Sequence, residues 1–332
     1  MHKRLLFILI VFSSCITKNP RITFKVREKK INFRSLISLK NDISYPNRFG
    51  LKEIDGNIYL INLSKSNDLI FFNLMDGSAR QIHTELNAKV IDAIMYDDTY
   101  CEVIINHILY RIDYLSGNLK AIMEVPLKPT EYIIENIYSQ TLFNFKKYHY
   151  LQYGVDNKFN WIDSYAVRMF NKDTSFNFIF TPPVFKKKYI HYSEISVANI
   201  KDTFYYTYST IPVLYRKVFN SQSCSTSPIP GKGYLDFDTT KSTNVLYITD
   251  YSKYTTYNIR LFPLGGRIFI VQRSYKKYKD FIYKLIGFDR NLNLLSESII
   301  QHPVDPNFIF VINGKLIFLV TQERKLYEYE ID

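Results

Sequence analysis

The sequence predicts an all-β fold: a β-propeller of six four-stranded blades. Three observations carry that expectation. After residue 30 the apolar residues recur with a period of two, and no stretch sustains a helical stripe. Tyr and Phe number 28 and 25 against a single Trp, a balance that suits pleated, half-buried surfaces. A two-strand hairpin recurs six times, at spacings close to the length of a propeller blade.

The first element is the N-terminus. Met1-His2-Lys3-Arg4 is basic, and Leu5 to Phe12 reads LLFILIVF without a polar residue. A membrane-spanning helix needs about 20 apolar residues, so this run is too short to span. A basic start, a short apolar stretch and small residues together make a secretory signal. The segment Phe12-Ser13-Ser14-Cys15 resembles a lipobox, with Phe in place of the commoner Leu. That resemblance implies a diacylglycerol on the Cys15 thiol and cleavage that leaves Cys15 as the mature N-terminus. Each buried CH₂ contributes about 0.8 kcal/mol, so two or three acyl chains hold where one would slip out. Lys18, Asn19 and Pro20 argue against a strand directly after the cysteine. The expected division is a signal peptide at 1–14, a lipidated N-terminus and linker at 15–30, and the propeller at 31–332.

The repeat comes next. Its first strands are Asp55–Ile61, Asp98–Ile104, Lys147–Gln152, Asp202–Thr207, Gly266–Val271 and Gly314–Leu319. Its second strands are Leu69–Leu74, Ile108–Asp113, Tyr165–Phe170, Val213–Val218, Phe281–Asp289 and Lys325–Ile331. Two of these end in matching turns, Asn73-Leu74-Met75-Asp76-Gly77-Ser78 and Asp113-Tyr114-Leu115-Ser116-Gly117-Asn118. The glycine supplies the positive φ of a tight connection, and the Asn or Asp side chain bonds the turn backbone. Phe288-Asp289-Arg290-Asn291 starts a related turn. Unit starts lie 43 to 63 residues apart, and the longest interval holds Ser221 to Gly233, read as an inserted loop. Ile31 to Leu39 alternates apolar and polar and is the expected outer strand that closes the ring with the C-terminal hairpin. Two packed sandwiches or a large barrel would give similar hairpins, and seven blades is the alternative count.

The blade pattern and the lipobox together resemble the six-bladed propeller lipoproteins of the Bacteroidota, of TolB-like or NHL-like type. The resemblance runs from the lipobox to Lys325-Leu326-Tyr327-Glu328-Tyr329-Glu330. It implies a cell-envelope location, a membrane anchor at Cys15 and a binding or scaffolding role. Surface-exported lipoproteins of that group usually carry acidic residues soon after the cysteine. Ile16-Thr17-Lys18-Asn19-Pro20 has none, which points to the outer membrane with the domain facing the periplasm.

Chemistry is harder to find. The net charge of +12 is dispersed in short runs such as Lys186-Lys187-Lys188, and no nucleic-acid motif accompanies it, so no nucleic-acid partner is expected. The histidines 2, 83, 107, 149, 191 and 302 are scattered, with no His-Glu-x-x-His. Cys101 and Cys224 fall on different hairpins and are expected to be two unpaired thiols. Asp97-Asp98 reads as a turn, and Gly231-Lys232-Gly233 as a flexible connection without the spacing of a phosphate loop. No catalytic, metal-ligating or cofactor-binding residue is assigned, and Cys15 is the one site residue. Most of the aromatics are expected in the core. The expected function is a non-enzymatic envelope lipoprotein that binds a protein, peptide or glycan through loops on a rigid scaffold. The competing expectation is a propeller hydrolase or lyase acting on polysaccharide, which needs carboxylates or histidines gathered at one channel mouth. A sensor of envelope state is a third.

Overall fold

The computed structural model describes residues 24–30, 50–63, 68–87, 91–129, 131–133, 142–156, 162–180, 195–236, 246, 250, 254–277, 280–300, 308–312, 314–320 and 325–331. The segment expected to be a signal peptide, and Cys15, lie outside the described residues. Among the described residues no helix is long and apolar enough to cross a membrane.

The described strands form six antiparallel sheets. The first strand, β1 (Phe24–Lys30), belongs to the last sheet. Blade 1 is β2 (Gly50–Ile54), β3 (Asn57–Leu63), β4 (Leu69–Asn73) and β5 (Ala79–Ile82). Blade 2 is β6 (Ala93–Tyr96), β7 (Tyr100–Ile105), β8 (Ile108–Asp113) and β9 (Leu119–Glu124). In blade 3 the first strand is split: β10 (Glu131–Ile133) and β11 (Leu142–Phe145) both pair with β12 (Tyr148–Asp156). Then follow β13 (Ile162–Phe170) and β14 (Ser175–Phe180). Blade 4 is β15 (Ile195–Ile200), β16 (Thr203–Tyr208), β17 (Val213–Val218) and β18 (Cys224–Pro228). Blade 5 is β19 (Tyr257–Leu264), β20 (Arg267–Lys277), β21 (Asp280–Phe288) and β22 (Leu294–Ile300). Blade 6 is β23 (Phe308–Ile312), β24 (Lys315–Val320) and β25 (Lys325–Ile331), with β1 as its outer strand. The fold is the expected six-bladed propeller.

Each expected hairpin is the second and third strand of a blade, and the structure sets a further strand ahead of it. First strands of neighbouring blades meet, β2 with β23, β6 with β11 and β15 with β19, which puts them nearest the axis. The buried residues fall into six clusters, one per blade-to-blade interface. Ile61, Phe71, Ile94 and Val103 join blades 1 and 2, and Leu109, Leu142, Leu151 and Phe170 join blades 2 and 3. Phe178 and Phe204 join blades 3 and 4, and Tyr205 and Ile270 join blades 4 and 5. Phe269 and Phe318 join blades 5 and 6, and Phe72 and Leu319 join blades 6 and 1. Each blade therefore buries both faces. This explains why β4 is buried at every position, where a half-exposed sheet would alternate. Among the described aromatics, only Phe176 and Tyr254 are among the exposed large hydrophobics.

Ring closure differs from expectation. The outer strand of blade 6 is Phe24–Lys30, a segment read as linker, and residues 31–49 lie outside the described residues. The strand carries Lys25, Arg27, Glu28, Lys29 and Lys30, so its charge resembles that of a tether. Charge is what an exposed edge strand uses to resist pairing with other chains. Arg27 pairs with Glu330 at 3.7 Å and Lys325 with Glu28 at 2.9 Å. The expected insertion also resolves differently, because Cys224–Pro228 is the outer strand of blade 4.

Antiparallel order gives the ring two unlike ends. At one end lie the turns between first and second strands and between third and fourth strands, each two to five residues long. At the other, second strands end and third strands begin, and there each blade's last strand ends and the next blade's first strand starts. These are called the turn end and the loop end below.

Candidate functional site: polar clusters at the blade seams and the loop end

Glu102 is the most buried charged side chain in the described residues. It sits on β7, where an unbroken apolar run gives its face to blade 3. Its Oε1 accepts from Arg111 Nη2 at 2.7 Å and Nε at 3.1 Å, and its Oε2 lies 2.9 Å from His149 Nε2. Burial alone would raise the Glu102 pKa. The hydrogen bonds and charges of His149 and Arg111 outweigh it and hold the carboxyl below its ordinary value. Arg111 lies over the Tyr100 ring at 4.0 Å, and His149 stacks on Phe170 at 5.5 Å. Both Glu102 oxygens are occupied, so the cluster is arranged as a bridge between blades 2 and 3. His149 Nδ1 is buried without a hydrogen-bond partner.

A second ion pair lies in the same seam. β12 presents His149, Leu151 and Tyr153 to blade 2 by strand alternation. Arg168, opposite Leu151 on β13, passes over the Tyr153 ring at 4.4 Å to reach Glu131. Its Nη1 and Nη2 donate to the two Glu131 oxygens at 2.7 and 2.8 Å, and Nε donates to Asn177 Oδ1 at 3.1 Å. The Pro126 carbonyl accepts from the same guanidinium, and the Lys128 N–H caps Glu131 at 2.8 Å. Burial again opposes ionisation of Glu131. Arg168 and the Lys128 amide reverse that and hold the carboxyl below its usual value. Beside this pair is a recess of about 480 Å³ lined by Pro126, Leu127, Lys128, Arg168, Ser175, Phe176 and Asn177.

Two further clusters lie at the loop end. In blade 1, buried Asp68 accepts from Gln81 Nε2 at 2.6 Å and lies 2.7 Å from Nδ1 of exposed His83. Between blades 4 and 5 an uncharged network fastens residues 229–236. Tyr234 OH donates to Asn258 Oδ1 at 2.6 Å and accepts from Gln272 Nε2 at 2.8 Å. Thr256 Oγ1 donates to the Lys232 carbonyl at 2.6 Å, and Asn258 Nδ2 donates to Thr207 Oγ1 and to the carbonyls of Tyr208 and Ile211. Gly231 has φ of 151°, which side chains with a Cβ rarely adopt, and a Cβ there would lie 2.9 Å from the Gln272 amide, so a substitution would be strained. The Gly231-Lys232-Gly233 segment is thus a fastened connection, not the flexible one its composition suggests.

The sequence-predicted residues are placed as follows. Cys15 lies outside the described residues, as do His2, His191 and His302. Cys101 and Cys224 are free thiols, the first buried and the second exposed. Burial pushes the Cys101 thiol pKa up, which leaves it unreactive. Asp97 and Asp98 do form a turn: Asp98 N–H bonds Asp97 Oδ1 at 2.6 Å, and Asp98 pairs with Lys52 of blade 1 at 2.6 Å. Among the described residues no three His, Cys, Asp or Glu side chains gather as a metal site would require. Sequence reasoning missed Glu102, Glu131 and Arg168. One signal could have found Glu102: a charge inside the otherwise apolar strand Cys101-Glu102-Val103-Ile104-Ile105 must be paired.

No protein-family profile and no curated protein sequence matches the chain. Solved structures do. A luciferin-regenerating enzyme is similar over 92% of this chain and 95% of its own, at 9% identity and a TM-score of 0.50. BamB from Moraxella catarrhalis is similar over 85% and 82%, at 8% identity and a TM-score of 0.39. The WD40 domain of Neurospora crassa Pan2 is similar over 85% and 88%, at 8% identity and a TM-score of 0.41. At these identities the likeness is one of fold, and fold does not choose between binding and catalysis.

Proposed function

We propose that this protein is a cell-envelope lipoprotein, anchored through Cys15, whose propeller serves as a rigid platform for a protein partner. The partner is engaged at the loop end. The observation that carries this reading is the asymmetry of the ring. Turns of two to five residues close one end, and the long stretches between blades start and finish from strand ends at the other. Rigid scaffolds place recognition on such loops. Polar groups already line that end in the described residues: Asp68 with His83, and the Tyr234–Asn258–Gln272 network. The sequence from 234 to 254 adds Tyr234, Tyr247, Tyr251 and Tyr254, a residue type enriched at protein interfaces. The lipobox supports the anchor, and the absence of acidic residues after Cys15 supports the periplasmic face of the outer membrane.

Photo-crosslinking in living cells tests the platform. A crosslinking amino acid at Leu235, at the loop end, should give a discrete protein adduct. The same group at Asn291, at the turn end, should give none. Adducts confined to the turn end would overturn the reading. Palmitate labelling of wild type and Cys15→Ala tests the anchor separately.

A further inference from the structure

We infer that Arg273, where blades 5 and 6 meet at the loop end, is the receptor for a carboxylate of the protein partner, an aspartate or glutamate side chain in an acidic segment. The inference rests on the loop-end platform proposed above and deepens it, by naming the side chain that holds the partner and the charge it selects.

Three arginines in the ring share one arrangement. Arg111 lies over the Tyr100 ring at 4.0 Å, and Arg168 over the Tyr153 ring at 4.4 Å. Each then closes on a buried glutamate at 2.7 Å, Glu102 for the first and Glu131 for the second. Arg273 lies over Tyr257 at 4.8 Å and over Phe281 at 4.5 Å, rings from the two strands that flank β20. Among the described residues no carboxylate pairs with it, and its Nε is buried without a hydrogen-bond partner. Arg273 therefore has the aromatic bed of the other two arginines and lacks their glutamate.

Its position leaves that glutamate to come from outside. β20 runs toward the loop end, and Arg273 is its seventh residue. β3, the second strand of blade 1, has seven residues in all, so Arg273 stands where such a strand reaches the rim. Phe269 and Val271 of β20 belong to the cluster shared with blade 6, and alternation puts Arg273 on the same face. It closes the apolar seam at its loop end and is half-buried, not sealed in. A guanidinium packed against rings has given up water over its faces, and its planar edge is what it still offers. That edge matches the two oxygens of one carboxylate.

The local charge agrees. β20 continues four residues beyond Arg273 and pairs as far as Lys277 with Asp280, about 13 Å of ladder. This extension of the hairpin contains Lys276, Lys277 and Lys279 against the single Asp280, so an acidic segment is drawn toward the seam before it meets Arg273. Nucleic acid and anionic lipid spread their phosphates over several cations, whereas a single guanidinium on an aromatic bed suits a single carboxylate.

The test is selection of a random peptide display library on the immobilised full chain, with wild type, Arg273→Gln, Arg273→Glu and Lys172→Gln in parallel. Lys172 is an exposed cation in the turn before β14 and serves as the control. Peptides retained by wild type and by Lys172→Gln should be several-fold enriched in Asp and Glu. Arg273→Gln should lose that enrichment, and Arg273→Glu should replace it with Lys and Arg, a reversal that lost packing cannot produce. If the neutral variant fails to fold, Arg273→Lys carries the test: it keeps the charge without the fork and should give a weaker acidic enrichment. Enrichment that is the same with and without Arg273, or none in wild type, would overturn the inference. So would Arg273-dependent binding of phosphatidylglycerol vesicles without selection of acidic peptides. The platform fails separately. No adduct from Leu235 in cells overturns the platform and the receptor with it, whereas an adduct that Arg273→Gln leaves undiminished overturns the receptor alone.

Discussion

At the scale of the residue, the buried carboxylates make stability depend on acid. Glu102 and Glu131 both have pKa values held below the ordinary 4.5 by partners that exist only in the folded ring. The unfolded chain therefore binds more protons than the folded one in the window just below 4.5. The stability these groups contribute is fully present above that value and is lost as pH falls through their lower folded values. The Glu131–Arg168 pair is the cleaner test, since its side chains are 6% and 8% exposed. Glu131→Gln keeps the shape and one acceptor but leaves Arg168 buried against a neutral amide. Breaking a buried pair costs about 3–5 kcal/mol, and the amide retains a part of that. The urea midpoint of Glu131→Gln should thus fall clearly at pH 7. Between pH 4.5 and 3 it should then decline less steeply than that of wild type. Two parallel curves would show that the pair carries no linked proton.

At the scale of the element, the tight turns show how local chemistry and long-range packing share one residue. Gly77 and Gly117 have φ of 78° and 74°, and in each turn the glycine N–H returns to the carbonyl of residue 73 or 113 at 2.9 Å. Asn73 Oδ1 accepts from the Met75 N–H, and Asp113 Oδ1 from the Leu115 and Ser116 N–H groups. A residue with a Cβ in this region costs about 1–2 kcal/mol. Gly56 has the same conformation with open space around it, but a Cβ on Gly117 would meet the His83 carbonyl oxygen at 2.0 Å. Gly56→Ala should lower the melting temperature by a few degrees and Gly117→Ala by a clearly larger margin, because the connection after β5 must also move. Equal losses in a thermal melt would remove the proposed contact between the blade 2 turn and the blade 1 connection.

The same scale explains what the sequence could and could not reveal. Second and third strands are legible because turn residues bound them and most of their positions are apolar or aromatic. First strands are not. β10 has three residues and β6 has four, too few for a period to register. β19 contains Pro263, which argues against a strand, yet an end strand of a sheet can leave that position without a donor. β1 was hidden by its charges. The seam clusters were illegible for a different reason: Glu102 and His149 are 47 residues apart and meet only because blades 2 and 3 do. The fastening of residues 229–236 depends on Thr256, Asn258 and Gln272 of the next blade, which no local pattern encodes.

At the scale of the whole molecule, the six interfaces are alike in kind and the ring is closed by a single strand from the far end of the chain. Each blade buries its two faces against its two neighbours only, so stability is a sum of neighbour terms carried around a circle. Closure couples the ends. With β1 in place, no blade can open without breaking two seams. Without it, β25 exposes an unpaired edge and blade 6 loses its outer strand, whose pairs run the length of β25. Hydrogen exchange in rising urea distinguishes the two cases. In the intact ring, peptides from β4, β16 and β24 should lose protection at one common midpoint. In a chain lacking residues 24–30, β24 and β25 should open at lower urea, and β4, which meets blade 6 through Phe72 and Leu319, should follow. β16, two blades away from blade 6, should open last. The same variant should also associate through its bare edge, read as a larger species by light scattering. If β24 and β16 still open together in the variant, the blades are coupled through the axis and not through the closing strand.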